Sequence, residues 1–394
     1  MKKFSTNFIV VLASIFFSMI SIEIAYMSYN FYRFNIRKAK IEKKENTSCN
    51  EPYINKNSCY KDQDNLSKMY FTTLNGYKPF PNYEGNGYIN DQFGFRKGEI
   101  DKPSPDSKAV VFSGGSTAWG AGVKTKDVYS SILNRSISKY GYYTVNAAVG
   151  GYTISQELNR IINDVIEIPN LTHLIMFSGW NDIYAGYKGY DYYLSPDMFT
   201  QWRKFMSTKP KGFMLTKNQQ KIIDTTNPNF SKLITIRTFQ KLNYFLSQDK
   251  NSNKEIKKLS PNELVNLIVL RVEIAYAIAK SRDINFVFAL QPSIYSTRKE
   301  LTAFEGNLLA KRKISNPDMQ PYFSSVYPKL RKKLQQSSKN NGYTFMDLDA
   351  AISSETDTVF ADHVHFGDRG NKLIAKFFLD NLKSIRFNLS SVIK

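Results

Sequence analysis

The sequence predicts an α/β protein in which a parallel sheet of about five strands lies between two layers of helices. Short, continuous apolar runs alternate with longer segments of helical periodicity, and turn residues such as Gly, Ser and Asn separate them. Strands that are apolar on both faces indicate a parallel sheet covered on both sides. The predicted strands are 109–112, 143–145, 174–177, 286–290 and 343–346, and the predicted helices are 127–139, 154–166, 261–280, 322–339 and 368–381.

Composition restricts the function classes. The 394 residues suit one large α/β domain with additions, or two modest domains. The net charge is +20, but the basic residues are scattered and accompany no zinc knuckle, ribonucleoprotein motif or basic zipper. We therefore predict no specific nucleic-acid binding. Anionic lipid headgroups and acidic polysaccharides are alternative partners, and a solvated basic surface is the simplest interpretation.

The N-terminus predicts a membrane anchor. Lys2 and Lys3 precede a segment that is free of charge over 8–22 and stays apolar to about residue 29. This is near the roughly 20 residues that cross a bilayer as a helix. A cleaved signal peptide is the alternative, but no small-x-small cleavage site follows. We interpret 1–32 as a transmembrane signal anchor.

The orientation of the anchor rests on conflicting signals. The first lysines favour a cytoplasmic N-terminus, whereas a second basic cluster, at 33–44, favours retention of the main domain in the cytoplasm. Cys49 and Cys59 form a local pair that suits a disulfide in an oxidising compartment, with two free thiols as the alternative. We expect the main domain to be extracytoplasmic, either periplasmic or at the cell surface.

Three further segments complete the organisation. Residues 33–105 form a polar stalk and lead-in, and 106–394 form the main domain. Within that domain, 185–259 interrupts the strand–helix rhythm with Tyr clusters, Lys and Pro, and we interpret it as an insertion over the active site. The sequence carries no signal for oligomeric state.

Polar groups follow the first three predicted strands directly. Ser116 comes after two glycines, so a tight turn can expose its hydroxyl group. Gly151 follows the second strand and can offer a backbone N–H, while Asn181 follows the third and offers an uncharged amide donor suited to an oxyanion. Plain loops and a capping side chain are the alternatives. Because functional residues gather at the carboxyl ends of parallel strands, we expect these groups to lie together.

An acid–histidine pair stands near the C-terminus. Asp362 stands three residues before His365. A carboxylate at this spacing can fold back to orient the imidazole and stabilise its charged form. His363 and His365 could alternatively bind a metal ion, but no other histidine is near in sequence. His173, the third histidine, is interpreted as a core residue.

These four blocks, in this order and each after its strand, resemble the SGNH hydrolase superfamily, also called the GDSL esterases. The resemblance covers 109–182 and 286–381 and implies a three-layer, flavodoxin-like domain. The first block departs from the family, because Gly115 stands where many members have Asp. The segment Ile89-Asn90-x-x-x-Gly94-Phe95-Arg96 resembles the lead-in of membrane-anchored relatives, and we expect Arg96 to hold it to the domain.

The resemblance also implies residue roles. The nucleophile, base and acid are Ser116, His365 and Asp362, and the oxyanion hole is formed by the N–H groups of Ser116 and Gly151 with the Asn181 amide. Tyr152 and Trp180 flank this site and either shape an acyl or sugar pocket or pack in the core, while Asp182 is interpreted as structural and His363 as supporting or exposed.

The function implied is ester hydrolysis, without metal or cofactor. The expected substrate is an O-acylated envelope glycan, such as a surface polysaccharide, or a lipid. Acyl transfer by the same triad, or a catalytically silent module that binds glycans, are the alternatives.

Overall fold

The computed structural model describes residues 69–72, 76–85, 88–98, 103–189 and 258–382. The predicted anchor, Cys49, Cys59 and most of the predicted insertion lie outside these residues. Within the described ranges, no helix combines the length and the apolar character that crossing a bilayer requires.

The described part of the lead-in contains two small antiparallel strand pairs. β1 (Met69–Thr72) pairs with β2 (Gly76–Pro79), and β3 (Glu84–Gly85) pairs with β4 (Tyr88–Ile89). No strand is predicted here from the sequence, because the segment is polar and lacks a sustained apolar period.

A five-stranded parallel sheet forms the centre of the domain. Its strands are β5 (Lys108–Gly114), β6 (Tyr142–Asn146), β7 (Leu171–Ser178), β8 (Asn285–Leu290) and β9 (Thr344–Asp347). Their spatial order is β6-β5-β7-β8-β9. Counted within the sheet, this is the order 2-1-3-4-5 that defines flavodoxin-like folds. The predicted parallel sheet is confirmed.

Eight α-helices accompany the sheet in the described ranges. They are α1 (Ser116–Trp119), α2 (Tyr129–Ile137), α3 (Ile154–Arg160), α4 (Trp180–Lys188), α5 (Pro261–Lys280), α6 (Ala303–Ser315), α7 (Met319–Asn341) and α8 (Asp368–Leu382). α3 continues into a π-helical turn, Ile161–Val165. The predicted helices correspond to α2, α3, α5, α7 and α8, whereas α1, α4 and α6 were not predicted.

The helices lie in two layers because alternate residues of each strand point to opposite faces. Val111 and Leu174 pack on one face with α3, α5 and α7. Phe112 and Ile175 pack on the other face with α2 and α8. These side chains are fully buried, so the domain has the predicted three-layer α/β/α architecture.

Arg96 joins the lead-in to the main domain. Its side chain is buried, and Nη1 donates hydrogen bonds to the carbonyl oxygens of Trp119 at 2.7 Å and Gly120 at 2.8 Å. Nη2 donates to the carbonyl oxygen of Val123 at 2.6 Å, and the backbone N–H donates to Asn146. This is the attachment expected of Arg96, and it fixes the loop that follows α1.

Candidate active site

The candidate site lies at the carboxyl end of the sheet, beside β5. β6 and β7 lie on opposite sides of β5, so the chain connections after β5 and after β6 run in opposite directions across the sheet. The carboxyl end of the sheet beside β5 is therefore a topological switch point. Ser116 is the first residue of α1, directly after β5. Asn181 is the second residue of α4, directly after β7.

Ser116, His365 and Asp362 form a hydrogen-bonded row. His365 Nε2 lies 2.7 Å from Ser116 Oγ, and His365 Nδ1 lies 2.7 Å from Asp362 Oδ2. Residues that are 249 positions apart in the chain are therefore in direct contact. The order of these three groups suits activation of the serine hydroxyl group as a nucleophile. The imidazole can accept the serine proton while the carboxylate holds the other ring nitrogen.

The loop around Asp362 holds its carboxylate in place. The backbone N–H groups of Val364 and His365 both donate to Asp362 Oδ1 at 2.8 Å. Burial favours the neutral carboxyl group, but the positive charge and hydrogen bonds of His365 outweigh it, so the pKa of Asp362 lies below its usual range. The side chain is 42% exposed, so water screens part of this attraction. Asp362 is therefore a charged partner for the imidazole at neutral pH.

His363 lies beside the Ser116 row, with its Nδ1 3.8 Å from Asp362 Oδ1. Its Nδ1 lies 3.1 Å from Nη2 of Arg312, and its ring lies 5.4 Å from that of Trp180. Burial lowers the pKa of His363 to about 4, and the neighbouring guanidinium acts in the same direction. A neutral His363 can accept a hydrogen bond from Arg312. The structure thus gives His363 a supporting place behind Asp362.

The groups predicted to form the oxyanion hole lie on the three loops that follow β5, β6 and β7. The Ser116 N–H lies in the first turn of α1, where the helix supplies no backbone acceptor. The Gly150–Gly151 loop approaches closely, because a Cβ atom on Gly150 would lie 3.8 Å from Ser116 Cβ. Asn181 Nδ2 donates to the Tyr152 carbonyl oxygen at 2.7 Å.

Gly115 provides the space that the Asn181 amide occupies. A Cβ atom at position 115 would overlap with Asn181 Nδ2. The Gly at position 115, where many GDSL esterases have Asp, therefore has a structural counterpart, since the Asn181 amide lies against the backbone that precedes Ser116.

Tyr152 and Trp180 have different surroundings. The Tyr152 side chain is fully buried, and its hydroxyl group donates to the Tyr77 carbonyl oxygen, which favours the packing alternative for this residue. Trp180 stacks on Tyr184 with ring centroids 5.2 Å apart. Trp180 Nε1 and the Tyr295 hydroxyl group are buried and have no hydrogen-bond partner among the described residues. Both rings lie beside His363.

Sequence reasoning missed a polar link beneath the His365 loop. Gln291 Nε2 donates to Thr117 Oγ1 at 2.8 Å, and Thr117 Oγ1 donates to the Val364 carbonyl oxygen at 3.3 Å. Gln291 directly follows β8, so the same strand-end signal that identified Ser116 and Asn181 would have identified it.

A buried acid, Glu157, accepts hydrogen bonds from serines near the ends of β5 and β7. The Ser178 hydroxyl group donates to Glu157 Oε1 at 2.5 Å, and that of Ser113 donates to Oε2 at 3.4 Å. Burial raises the pKa of Glu157 well above its usual range, and the charge of Asp182 adds to the effect. Asp182 is itself buried, and its carboxylate accepts a hydrogen bond from the Ile154 N–H, which agrees with a structural role.

No protein-family model and no curated protein matches the sequence. Several solved structures are similar in fold. One is a member of the lipolytic protein G-D-S-L family from Veillonella parvula, with 13% identity, a TM-score of 0.39, and coverage of 70% of this chain and 99% of that one. Another is an acetyl xylan esterase, with 14% identity, a TM-score of 0.37, and coverage of 70% and 99%. A third is a lipase/acylhydrolase from Enterococcus faecalis, with 12% identity, a TM-score of 0.37, and coverage of 70% and 96%.

Proposed function

We propose that the protein is a serine ester hydrolase of the SGNH/GDSL type with Ser116 as nucleophile, His365 as base and Asp362 as the acid that orients it. The single observation that carries this proposal is the row of contacts from Asp362 Oδ2 through both ring nitrogens of His365 to Ser116 Oγ, each 2.7 Å long. A nucleophile, its base and an orienting group within hydrogen-bond distance are the signature of an activated serine.

In the first half of the reaction, Ser116 Oγ attacks the ester carbonyl carbon while His365 Nε2 takes its proton. Negative charge then develops on the carbonyl oxygen, where the N–H groups of Ser116 and Gly151 and the Asn181 amide stabilise it. Collapse of the tetrahedral intermediate breaks the ester bond. His365 returns the proton to the leaving alcohol, and the acyl group stays on Ser116.

In the second half, a water molecule attacks the acyl carbonyl carbon and His365 takes one of its protons. The bond to Ser116 Oγ breaks, the serine recovers its proton from His365, and the carboxylic acid leaves. Asp362 stays ionised throughout, because its low pKa suits it to stabilising the imidazolium and not to carrying the proton. Replacement of water by a second alcohol turns the same cycle into acyl transfer.

The substrate class we propose is an O-acylated glycan. The rings of Trp180 and Tyr295 pack beside that of His363, with centroids 5.4 and 6.3 Å from it. Aromatic side chains with a polar edge suit sugars, which offer both apolar faces and hydroxyl groups. The guanidinium of Arg312 beside His363 adds a positive charge to the same region.

We also propose that residues 1–32 anchor the domain outside the cytoplasm. The support is the uncharged run over 8–22 and the basic residues before it. Added protease should digest the domain in intact spheroplasts. Protection in intact spheroplasts, with digestion only after lysis, would overturn the orientation.

Labelling with a fluorophosphonate probe tests the nucleophile. The probe should modify Ser116, and Ser116→Ala should lose labelling and lose hydrolysis of p-nitrophenyl acetate by several orders of magnitude. Ser325→Ala, which removes an exposed hydroxyl group bonded to the Tyr322 carbonyl oxygen, is the matched control and should keep both. Undiminished turnover by a folded Ser116→Ala protein would refute the assignment.

A further inference from the structure

We propose that Tyr77, in the lead-in strand β2, is a positioning residue for the oxyanion hole. The inference rests on the proposed function. It makes the lead-in part of the catalytic unit, whereas the sequence predicts only a polar stalk and lead-in over 33–105.

The first contact of Tyr77 fixes a peptide group. Its hydroxyl group donates a hydrogen bond to the Gly150 carbonyl oxygen at 2.6 Å. In a trans peptide, that carbonyl group and the Gly151 N–H lie in one plane and point in opposite directions. A hydrogen bond that holds the Gly150 oxygen toward Tyr77 therefore turns the Gly151 N–H to the other side. The same bond also polarises the peptide group, which makes the N–H a stronger donor.

Gly151 cannot fix this orientation by itself. It has φ of +80°, which glycine adopts without steric cost, so the peptide can rotate unless a partner holds it. A Cβ atom at position 151 would lie 2.7 Å from the Tyr77 hydroxyl oxygen. The tyrosine thus fits closely against a loop formed by two consecutive glycines, Gly150 and Gly151.

The second contact of Tyr77 reaches the other donor. The Tyr77 carbonyl oxygen accepts a hydrogen bond from the Tyr152 hydroxyl group, and the two rings pack edge to face with centroids 5.3 Å apart. The Tyr152 carbonyl oxygen in turn accepts a hydrogen bond from the Asn181 amide at 2.7 Å. Tyr77 therefore supports the residue that orients the Asn181 amide as well as the peptide that carries the Gly151 N–H.

The strand that carries Tyr77 is held firmly enough to position a neighbour. Lys78 Nζ lies 2.6 Å from Asp164 Oδ1, and both side chains are less than one-fifth exposed, at 15% and 18%. Asn90 Nδ2 donates to the Phe80 carbonyl oxygen at 3.1 Å. The hydroxyl group of Tyr77 bonds to a carbonyl oxygen and not to a reacting atom, so its effect on catalysis passes through Gly151.

The test compares Tyr77→Phe with Tyr276→Phe in the full chain. Tyr276 is a matched control, because its hydroxyl group also donates to a backbone carbonyl oxygen at 2.6 Å, that of Asn341, away from the site. For p-nitrophenyl acetate we expect Tyr77→Phe to lower kcat roughly tenfold, less than the hundredfold or more for loss of a whole donor. KM should stay unchanged, and the inhibition constant of a boronic acid that mimics the tetrahedral intermediate should rise by the same factor as kcat falls.

Each outcome decides between the proposals. A kcat for Tyr77→Phe equal to that of Tyr276→Phe overturns the positioning role while Ser116-dependent turnover still supports the hydrolase. Parallel losses of kcat and thermal stability, with unchanged boronic acid affinity, also overturn it, because they indicate a merely structural tyrosine. Absence of Ser116-dependent turnover in the unmutated protein overturns both proposals.

Discussion

Gly115→Ala should separate catalysis from stability in this protein. The added methyl group would overlap with Asn181 Nδ2, which is the end of a side chain and can move away. Gly115 has φ of −86°, a value that alanine adopts without strain. The backbone can therefore accept the substitution, and the Asn181 amide is the group that must leave its place.

The two effects of this substitution differ in size. Rotation of Asn181 breaks its 2.7 Å hydrogen bond to the Tyr152 carbonyl oxygen, which costs about 1 kcal/mol of stability. Replacing glycine by alanine at a compatible φ returns about 0.4–1 kcal/mol by restricting the unfolded chain. The net change in the free energy of unfolding is near zero. Loss of an oxyanion donor raises the barrier by about 3 kcal/mol, which is more than a hundredfold in rate.

The assay measures kcat with p-nitrophenyl acetate and the free energy of unfolding in urea, for Gly115→Ala and for Gly306→Ala. Gly306 lies in α6, and a Cβ atom there meets nothing within 4 Å, so this control should keep full activity. Gly115→Ala with kcat within about threefold of the unmutated protein, or roughly 0.7 kcal/mol in barrier, would refute the place we give Asn181 in catalysis.

Two further predictions concern stability. Since the pKa of His363 is about 4 in the folded state, against about 6.5 when unfolded, the free energy of unfolding should fall by up to about 3 kcal/mol as pH drops from 6.5 to 4. Urea titrations should show that the free energy of unfolding falls less steeply with pH for His363→Gln. The contribution of the ionised Asp362 to this free energy should persist to lower pH, because the pKa of Asp362 is lowered in the folded state. Glu305 and Lys299 form a fully buried ion pair, and Glu305 also accepts the Phe360 N–H. Glu305→Gln should cost about 3–5 kcal/mol in urea, and adding Lys299→Met should recover part of it.

The elements of the fold that local chemistry determines were predictable from the sequence. The run 286–290 lies within β8, and Ser260 caps α5 through the reciprocal bonds expected of Ser-Pro-x-Glu. α6 carries the same signal, since Thr302 and Glu305 form a capping box, but its exposed and largely polar surface gives little helical periodicity. The single turn of α1 is too short for any periodic signal.

The candidate site was predictable where residues follow strands, and not where contacts join distant segments. Ser116, Gly151 and Asn181 follow the ends of neighbouring parallel strands, which places their loops at one edge of the sheet. Tyr77 was missed because its bond to Gly150 spans 73 residues and its segment shows no pattern. Glu157 was missed because its position under the strand ends depends on the packing of α3 against the sheet.

The loops of the site are each held by a group from another part of the chain. Tyr77 holds the Gly150–Gly151 loop, Arg96 holds the loop after α1, and Glu305 holds the backbone leading to Asp362. A displacement of about 1 Å at a reacting group can cost a hundredfold in rate, whereas loss of one hydrogen bond changes stability by only about 1 kcal/mol. Measurements of activity are therefore more sensitive to loss of the hydrogen bonds made by Tyr77 and Arg96. Measurements of stability are more sensitive to loss of the buried charge on Glu305.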